Sequence, residues 1–440
     1  MKKLTIIFLY SLIPILTISI EDVYFLSKLS SGLQNPAYWL FSKVFILPPV
    51  VILMVIGIGL ALLMRPTRIH RILLIITVLF IIALTTGITV GLFGKIEAPK
   101  LFFEFQYWRS LVFFIVLTFL IAKLMTYSEY DKFINWFVLV QFFYSIYVLS
   151  KFFFLGQGQL SYVDQIVPIF AGDQIAFIVL ACFIVSARNL VKPRAFLIVA
   201  EAVFILVLVL SLRRMAMAAA AASIVFTAAL LLVRNGKGKK LIYLSSLAVT
   251  TALILGAILW VTQRSAIESS FIFQRFQSVN PFWADKQTNV FLSSMGHTDD
   301  FLDGMDLVLQ SPILGQGLNT DLVLLRTSRW QEDNLHSTMF SLWVKMGLPG
   351  LLFYLFITTY GIRFFFKGLK NRDLKAVWLV LFIIAFSVFN FLTGIYTNGV
   401  FLGYKNATCL AIYMAGCFIL SKELSLSNSN ISENANLIMP

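Results

Sequence analysis

Long apolar runs separated by short polar segments extend through almost the whole chain of 440 residues. A hydrocarbon core of about 30 Å is crossed by roughly 20 helical residues, which is close to the length of most of these runs. Lipid-facing backbone is satisfied only in helices or closed barrels, and runs this long without alternating polar positions exclude barrel strands. The pattern predicts an all-α, polytopic transmembrane helical protein of about twelve spans, near residues 4–20, 37–64, 70–93, 109–126, 133–154, 166–187, 195–212, 215–233, 241–261, 338–366, 376–396 and 403–421.

The stretch 262–337, between the ninth and tenth predicted spans, is the exception because it is largely polar. Its first half contains QRSAIESSFIFQRFQSV, whose apolar spacing predicts an amphipathic helix. Its second half predicts a short amphipathic helix that is stopped by Pro312 and followed by a glycine-containing loop. We therefore expect a small helical external segment that divides the chain into spans 1–9 (residues 1–261), the external segment (262–337), spans 10–12 (338–421) and a polar cytoplasmic tail (422–440).

Lysines and arginines cluster in alternate short loops, and this bias sets the predicted orientation. The clusters RPTRIHR, RNLVKPR, RNGKGKK and KGLKNRDLK are assigned to the cytoplasm by the positive-inside rule. Both termini are then cytoplasmic, and the turn at Arg213 and Arg214 faces outward together with the external segment. Because the net charge of +14 comes mainly from these loops, it indicates membrane topology and not nucleic-acid binding.

Motifs for several common enzyme chemistries are absent from the sequence. It contains no Walker phosphate loop, no HExxH metal site and no GxSxG nucleophile elbow. Cys182, Cys409 and Cys417 lie inside apolar runs without CxxC spacing, so we interpret them as packing residues and not as disulfide or metal-binding residues. We expect no bound metal ion and no cofactor.

Arginines gather at the predicted outer surface. Arg213 and Arg214 break an apolar stretch, either as a turn whose side chains reach the interface or as guanidinium groups presented to a phosphate or pyrophosphate. Arg264 and Arg275 of the external segment are eleven positions apart, about 16 Å along a helix, which is too far for both to bind one pyrophosphate. Each is a candidate for diphosphate or glycan binding, or part of a solvated charged face.

His336 stands at the entrance of the tenth predicted span. Its reference pKa near 6.5 suits general-base chemistry, and Glu332 and Asp333 are close enough in sequence to orient it. The alternative is an interfacial histidine beside a helix start formed by Ser337 and Thr338. The local sequence leaves both interpretations open.

Three ordered motifs resemble the O-antigen ligase and polymerase superfamily. His336-Ser337, nine residues, then Gly347-Leu348-Pro349-Gly350 resembles the family's His-(Asn/Ser/Gln)-x9-Gly-x-x-(Gly/Thr/Tyr) motif. The stretch SLRRMA is similar to the family's Ser-Arg turn, and SPILGQGL is similar to its Pro-Leu-x-Gly-x-Gly loop. The resemblance covers roughly residues 200–366 in ordered motifs, and the preceding helices in number and topology.

The resemblance implies an enzyme of the bacterial inner membrane whose active site faces the periplasm. It implies that His336 is catalytic, and that Arg214 is the catalytic turn arginine because Arg214-Met215-Ala216 fits the family's Arg-x-Ala pattern. Diphosphate or glycan binding is carried over to Arg213, Arg264 and Arg275. Two positions depart from the family pattern: Met215 replaces a small residue, and His297, a candidate sugar-binding residue, stands where the family often has an arginine.

The implied reaction is an inverting, metal-independent transfer of a glycan from undecaprenyl diphosphate to an acceptor hydroxyl. We favour an O-antigen ligase, with lipid A-core as acceptor in lipopolysaccharide biosynthesis, over an O-antigen or exopolysaccharide polymerase that extends a lipid-linked repeat. A lipid-linked oligosaccharide flippase or transporter is a further alternative, and it predicts charges deep in several spans. Most spans lack such charges, and Asp173 and Glu201 are the clearest exceptions. Expected partners are the lipid bilayer and other polysaccharide-assembly proteins.

Overall fold

The computed structural model describes residues 6–7, 9–11, 59, 68–94, 112–150, 194–210, 219–225, 302–318, 322–324, 329–331, 335, 337–364, 374–396 and 404–438. This part of the chain is almost entirely helical, as the sequence predicts. Its helices are α1 (Arg68–Phe93), α2 (Val112–Leu124), α3 (Tyr127–Ser150), α4 (Arg194–Leu210), α5 (219–225), α6 (302–310), α7 (Thr338–Thr359), α8 (Leu374–Tyr396) and α9 (Tyr404–Ile438).

Three helical stretches of the described chain are long and apolar enough to cross a membrane. They are Arg71–Phe93, Thr338–Arg363 and Ala407–Leu424, and they coincide with the predicted spans at 70–93, 338–366 and 403–421. A membrane protein is therefore confirmed by length and composition. The total of about twelve spans depends on ranges outside the described residues and stays a prediction.

A short β-hairpin departs from the prediction that the external segment is helical. Strands β1 (Leu322–Leu324) and β2 (Arg329–Gln331) pair antiparallel, with Val323 opposite Trp330 in the register. Valine and tryptophan are residue types that strands favour. Strands of three residues are too short to show the alternating pattern that identifies a strand in a sequence, which explains why the prediction missed them.

The helices pack through a mainly apolar core that is fastened by buried hydroxyl groups. Phe80 of α1 lies 5.4 Å from Phe353 of α7 between ring centroids. The Tyr413 hydroxyl of α9 accepts from the Gly361 backbone N–H at 2.9 Å and lies 2.7 Å from Ser387 Oγ of α8. These contacts join α8, α9 and the 3-10 turn Tyr360–Arg363 that follows α7.

The cysteine interpretation is confirmed for the two cysteines that are described. Cys409 and Cys417 of α9 are buried in the protein core, and neither forms a disulfide with a described residue. Both pack within the main hydrophobic cluster. Cys182 lies outside the described residues, so its role as a packing residue stays a prediction.

The predicted tenth span is not one straight helix, because α7 is broken at Gly347. This residue has φ 65° and ψ −158°, which are not helical angles. Ser337 Oγ donates to the Gly394 carbonyl at 3.3 Å, and a Cβ on Gly394 would also contact the Tyr354 ring at 2.5 Å. A straight helix would separate positions 337 and 354 by about 25 Å. The chain therefore bends back at Gly347 into two segments, α7a (338–346) and α7b (348–359), that both reach the same turn of α8.

Candidate active site

The start of α7a fixes the main chain on both sides of position 336. Ser337 is the N-cap residue: its Oγ accepts from the Phe340 backbone N–H at 3.2 Å and donates to the Gly394 carbonyl. On the other side, the Leu335 carbonyl accepts from Ser341 Oγ at 3.1 Å. Leu335 and Ser337 are both buried. The predicted helix start at Ser337 is therefore confirmed.

Helix α6 of the external segment packs directly against this start. A Cβ on Gly304 would lie 3.2 Å from Leu335 Cδ1 and 3.4 Å from Phe340 Cβ, so no larger residue fits without displacing them. Leu307 and Val308 form a small apolar cluster with Leu335, Phe340 and Val344. Helix α6 is thus packed on α7a through this small apolar cluster.

The loop that follows α6 (residues 312–318, here called the Pro312 loop) lies in the break of α7. Its Gln316 backbone N–H donates to the Val344 carbonyl at 2.6 Å, and its Ile313 carbonyl accepts from the Leu348 backbone N–H at 2.9 Å. In an unbroken helix Leu348 would donate to Val344. The loop therefore supplies a new partner to each of the two backbone groups that the break separates. Pro312 ends α6 as predicted, and its carbonyl accepts from the Trp343 indole N–H at 2.9 Å.

Glycines make this insertion possible because the two main chains touch. A Cβ on Gly315 would lie 2.5 Å from the Gly347 backbone nitrogen, and a Cβ on Gly347 would collide with the Ile313 carbonyl oxygen. Both glycines have positive φ, 74° and 65°, a region that residues with a Cβ rarely adopt. The SPILGQGL loop and the GLPG motif are therefore one interlocked unit.

The second glycine of that loop connects it to α1. A Cβ on Gly317, which has φ 95°, would lie 2.5 Å from the Gly91 backbone nitrogen. The next residue, Leu318, donates its backbone N–H to the Gly87 carbonyl at 2.9 Å. The loop thus joins α6 to α7 and to the end of α1. Phe93, the last residue of α1, belongs to the end that the charge pattern places outside.

Gly350 in α7b is also a packing position. A Cβ there would meet the carbonyl oxygen of Leu342 in α7a, a residue that a straight helix would hold about 12 Å away. Pro349 falls in the first turn of α7b, where the missing N–H of proline breaks no helical hydrogen bond. The GLPG motif therefore encodes a break, a helix restart and a close contact between the two segments.

The residues predicted to act on substrate lie outside the described residues. These are Arg213, Arg214, Arg264, Arg275, His297 and His336. The two residues that flank His336 are held as set out above, and the turn arginines fall between α4, which ends at Leu210, and α5 (219–225). Among the described residues, no three His, Cys, Asp or Glu side chains are grouped so that they could hold a metal ion.

Comparison with known protein families identifies the domain that contains this unit. Residues 195–355 match the family model described as O-antigen ligase. The chain therefore carries a domain of the O-antigen ligase and polymerase superfamily. The family resemblance read from residues 200–366 is thus confirmed, and the match includes the arginine turn, the external segment and α7a. No curated protein gives a significant match to the chain.

The matched domain supports an O-antigen ligase or polymerase type of function in general. Members of the superfamily are ligases and polymerases of the glycosyltransferase type, which work in a membrane on lipid-linked glycans. The Pro312 loop and the Gly347 break form one interlocked unit within the matched domain, and Gly347 belongs to the motif that begins at His336. Sequence reasoning missed two contacts of this motif: Gly394 accepts from Ser337, and Trp343 within the motif donates to the Pro312 carbonyl. It also missed Asn390, for which a polar residue in an otherwise apolar span was the available signal.

Proposed function

We propose that this protein is a membrane glycosyltransferase that moves a glycan from undecaprenyl diphosphate to an acceptor hydroxyl on the periplasmic side. The proposed activity is that of an O-antigen ligase, with lipid A-core as the acceptor. The observation that carries the proposal is the O-antigen ligase match over residues 195–355, because this range contains every residue assigned to the site. No ATP is required, since the donor diphosphate is already an activated leaving group.

The packing at α7a supports a catalytic role for His336. A general base must be held within hydrogen-bond reach of the hydroxyl that it deprotonates. The carbonyl of Leu335 and the side chain of Ser337 are both hydrogen-bonded, and α6 covers Leu335. A backbone that is fixed on each side of a residue restricts where its side chain can lie, which favours a preorganised base.

In the proposed mechanism, an imidazole nitrogen of His336 takes the proton of the acceptor hydroxyl. The acceptor oxygen forms a bond to the anomeric carbon while the bond from that carbon to the diphosphate oxygen breaks, with inversion. The electron pair leaves on undecaprenyl diphosphate, where Arg214 stabilises the developing charge with Arg213, Arg264 or Arg275. Such preorganised electrostatics commonly contribute several kcal/mol. His297 would contact the sugar, and the proton on His336 is released to water.

The second candidate is a polymerase, which shares the donor, the topology and the superfamily. It differs in its acceptor, which would be another lipid-linked repeat. The His336-Ser337 motif follows the ligase form of the family motif, and this favours the ligase.

The discriminating experiment incubates the purified protein with a defined lipid-linked glycan and each acceptor in turn. A ligase gives lipid A-core that carries glycan, whereas a polymerase gives a lengthened lipid-linked product. A strain that lacks the protein provides the matching test: uncapped core with intact lipid-linked polymer supports a ligase, and core bearing a single repeat supports a polymerase. Transfer to neither acceptor would contradict the proposal.

A further inference from the structure

Asn390 is a polar residue buried in the apolar helix α8. The residue is 6% exposed, and among the residues that the structure describes its amide nitrogen Nδ2 has no hydrogen-bond partner. A buried amide donor that is left unpaired costs about 1–3 kcal/mol, and such groups are rare in folded proteins. A leucine of similar size would avoid this cost, so the amide indicates a polar partner beyond the described part of the chain.

The turn of α8 that carries Asn390 packs against both segments of α7. Gly394, one turn further along α8, accepts the hydrogen bond from Ser337 of α7a. Tyr354 of α7b donates its hydroxyl to the Phe391 carbonyl at 2.7 Å and lies 3.4 Å from the Asn390 carbonyl. Residues four apart on a helix lie on one face. Asn390 therefore shares a face of α8 with the residue that holds the N-cap next to His336.

The chemistry of the missing partner follows from the donor and from its depth. An amide N–H requires an acceptor oxygen. Asn390 lies six residues before Tyr396, the last residue of α8, which is about 9 Å along the helix from the end that the charge pattern places outside. A polyprenyl-linked donor holds its diphosphate at the membrane boundary and extends its sugars into water. Among the oxygen-bearing groups of the donor, the diphosphate is thus the one that lies deepest and comes nearest to Asn390.

We infer that the Asn390 amide binds a diphosphate oxygen of the lipid-linked donor. This inference rests on the proposed function and adds a binding residue on α8, outside the region matched by the O-antigen ligase family. The side chain is neutral, so it positions the diphosphate by a directed hydrogen bond, while the arginines supply the charge.

The test measures binding of undecaprenyl diphosphate without a glycan to the purified full-length protein in detergent, by ligand-dependent thermal shift. Asn390→Leu removes the donor and keeps the volume, and Asn390→Asp keeps the shape but presents an acceptor. Ser387→Ala is the matched control on the same helix, because Ser387 bonds to Tyr413 within the core. We expect wild-type protein to be stabilised by the lipid and both Asn390 variants to bind it about tenfold more weakly or worse. The control should lose thermal stability but keep its affinity.

A second readout separates a binding role from a structural role. Without ligand, Asn390→Leu should melt at the wild-type temperature or above it, because an unpaired donor has been removed. A clearly lower melting temperature, or unchanged affinity in both Asn390 variants, overturns the inference. If the Asn390 variants bind the glycan-bearing lipid more weakly but bind undecaprenyl diphosphate as tightly as wild-type protein does, the assignment to the diphosphate is overturned. If wild-type protein itself does not bind undecaprenyl diphosphate, the proposed donor is wrong and the inference falls with it.

Discussion

Gly347 determines the course of α7 through its backbone angles. Its φ of 65° and ψ of −158° lie in a region that is essentially restricted to glycine. The position is also in backbone contact with Ile313 and Leu314. Gly347 thereby ends α7a, turns the chain and leaves space for the Pro312 loop. A side chain at this position would disturb all three features.

Gly347→Ala should destabilise the protein by about 3 kcal/mol or more, because backbone strain of about 1–3 kcal/mol adds to a collision with main-chain atoms. The measurement is thermal unfolding in detergent or lipid, together with the rate of glycan transfer. Gly59→Ala is the control, since a Cβ at Gly59 meets nothing within 4 Å and alanine is favoured in a helix. Equal stability of the two variants would contradict the interlocked geometry.

Ser337 makes a second local prediction, because its hydroxyl serves as both helix cap and link to α8. Ser337→Ala should cost about 1–2 kcal/mol of stability, the usual range for an N-cap serine. Ser337→Asn should recover most of the loss, since asparagine also caps helices well. Unfolding temperatures of the three proteins test this, and an alanine variant as stable as wild type would show that the cap contributes nothing.

Some of these local features could be predicted from the sequence, and others could not. The cap at Ser337 and the stop at Pro312 were predictable because each follows from local backbone chemistry. The positive φ of Gly347 was not predictable, since an isolated glycine in an apolar run is equally compatible with a helix interior. The reason for the break lies 34 positions away at Ile313, in a loop contact that no local pattern encodes.

At the scale of elements, the notable feature is a loop that replaces a helical hydrogen bond. Backbone groups that are freed within a membrane protein must find partners inside the protein. The loop after α6 supplies them to Val344 and Leu348. The prediction for the span at 338–366 was right about its position and its apolar character. It was wrong in treating the span as one continuous helix, because hydropathy identifies apolar segments and does not show whether their backbone is straight.

Trp343→Phe tests the contribution of this loop contact to activity. The change removes the indole hydrogen bond to the Pro312 carbonyl and should cost about 1 kcal/mol or less of stability. We expect transfer to fall several-fold, because the loop sets the position of α7a and so of the motif that begins it. Measured rates and melting temperatures give the two effects separately.

Trp136→Phe is the matched control for that experiment. Trp136 donates its indole N–H to the Tyr10 carbonyl at 3.0 Å, a similar bond between α3 and residues 6–11. It should lose comparable stability and retain wild-type transfer. A similar loss of activity in both variants would show that stability alone, and not the loop, limits the reaction.

At the scale of the whole molecule, the orientation in the membrane remains a prediction from charge. The rule places residues 262–337 in the periplasm and the tail 422–440 in the cytoplasm. In a Cys182→Ser background, Ser293→Cys should react with a membrane-impermeant maleimide on intact spheroplasts, and Ser427→Cys should react after lysis. The buried Cys409 and Cys417 should stay unlabelled in folded protein. The reverse pattern at Ser293 and Ser427 would place the site on the wrong side for a periplasmic transfer.

Several of the described elements meet at the end of the helices that is predicted to face outward. The Pro312 loop meets Gly91 of α1 through backbone contacts, and the start of α7a meets Gly394 of α8 through the Ser337 hydroxyl. The sequence could predict that polar chemistry gathers at this end, because charge and hydropathy report topology. It could not predict which helices meet there, since α1, α7 and α8 are brought together by packing between distant parts of the chain.

The most direct test of the proposed function is the rate of glycan transfer from a lipid-linked donor by purified His336→Ala protein. A missing general base should lower the rate by roughly 10²–10⁴-fold. The melting temperature and the affinity for undecaprenyl diphosphate should remain those of wild type, since the lost interaction belongs to the transition state. A transfer rate near that of wild type, in protein that is folded and binds the donor, would contradict the assignment of His336 as the catalytic base.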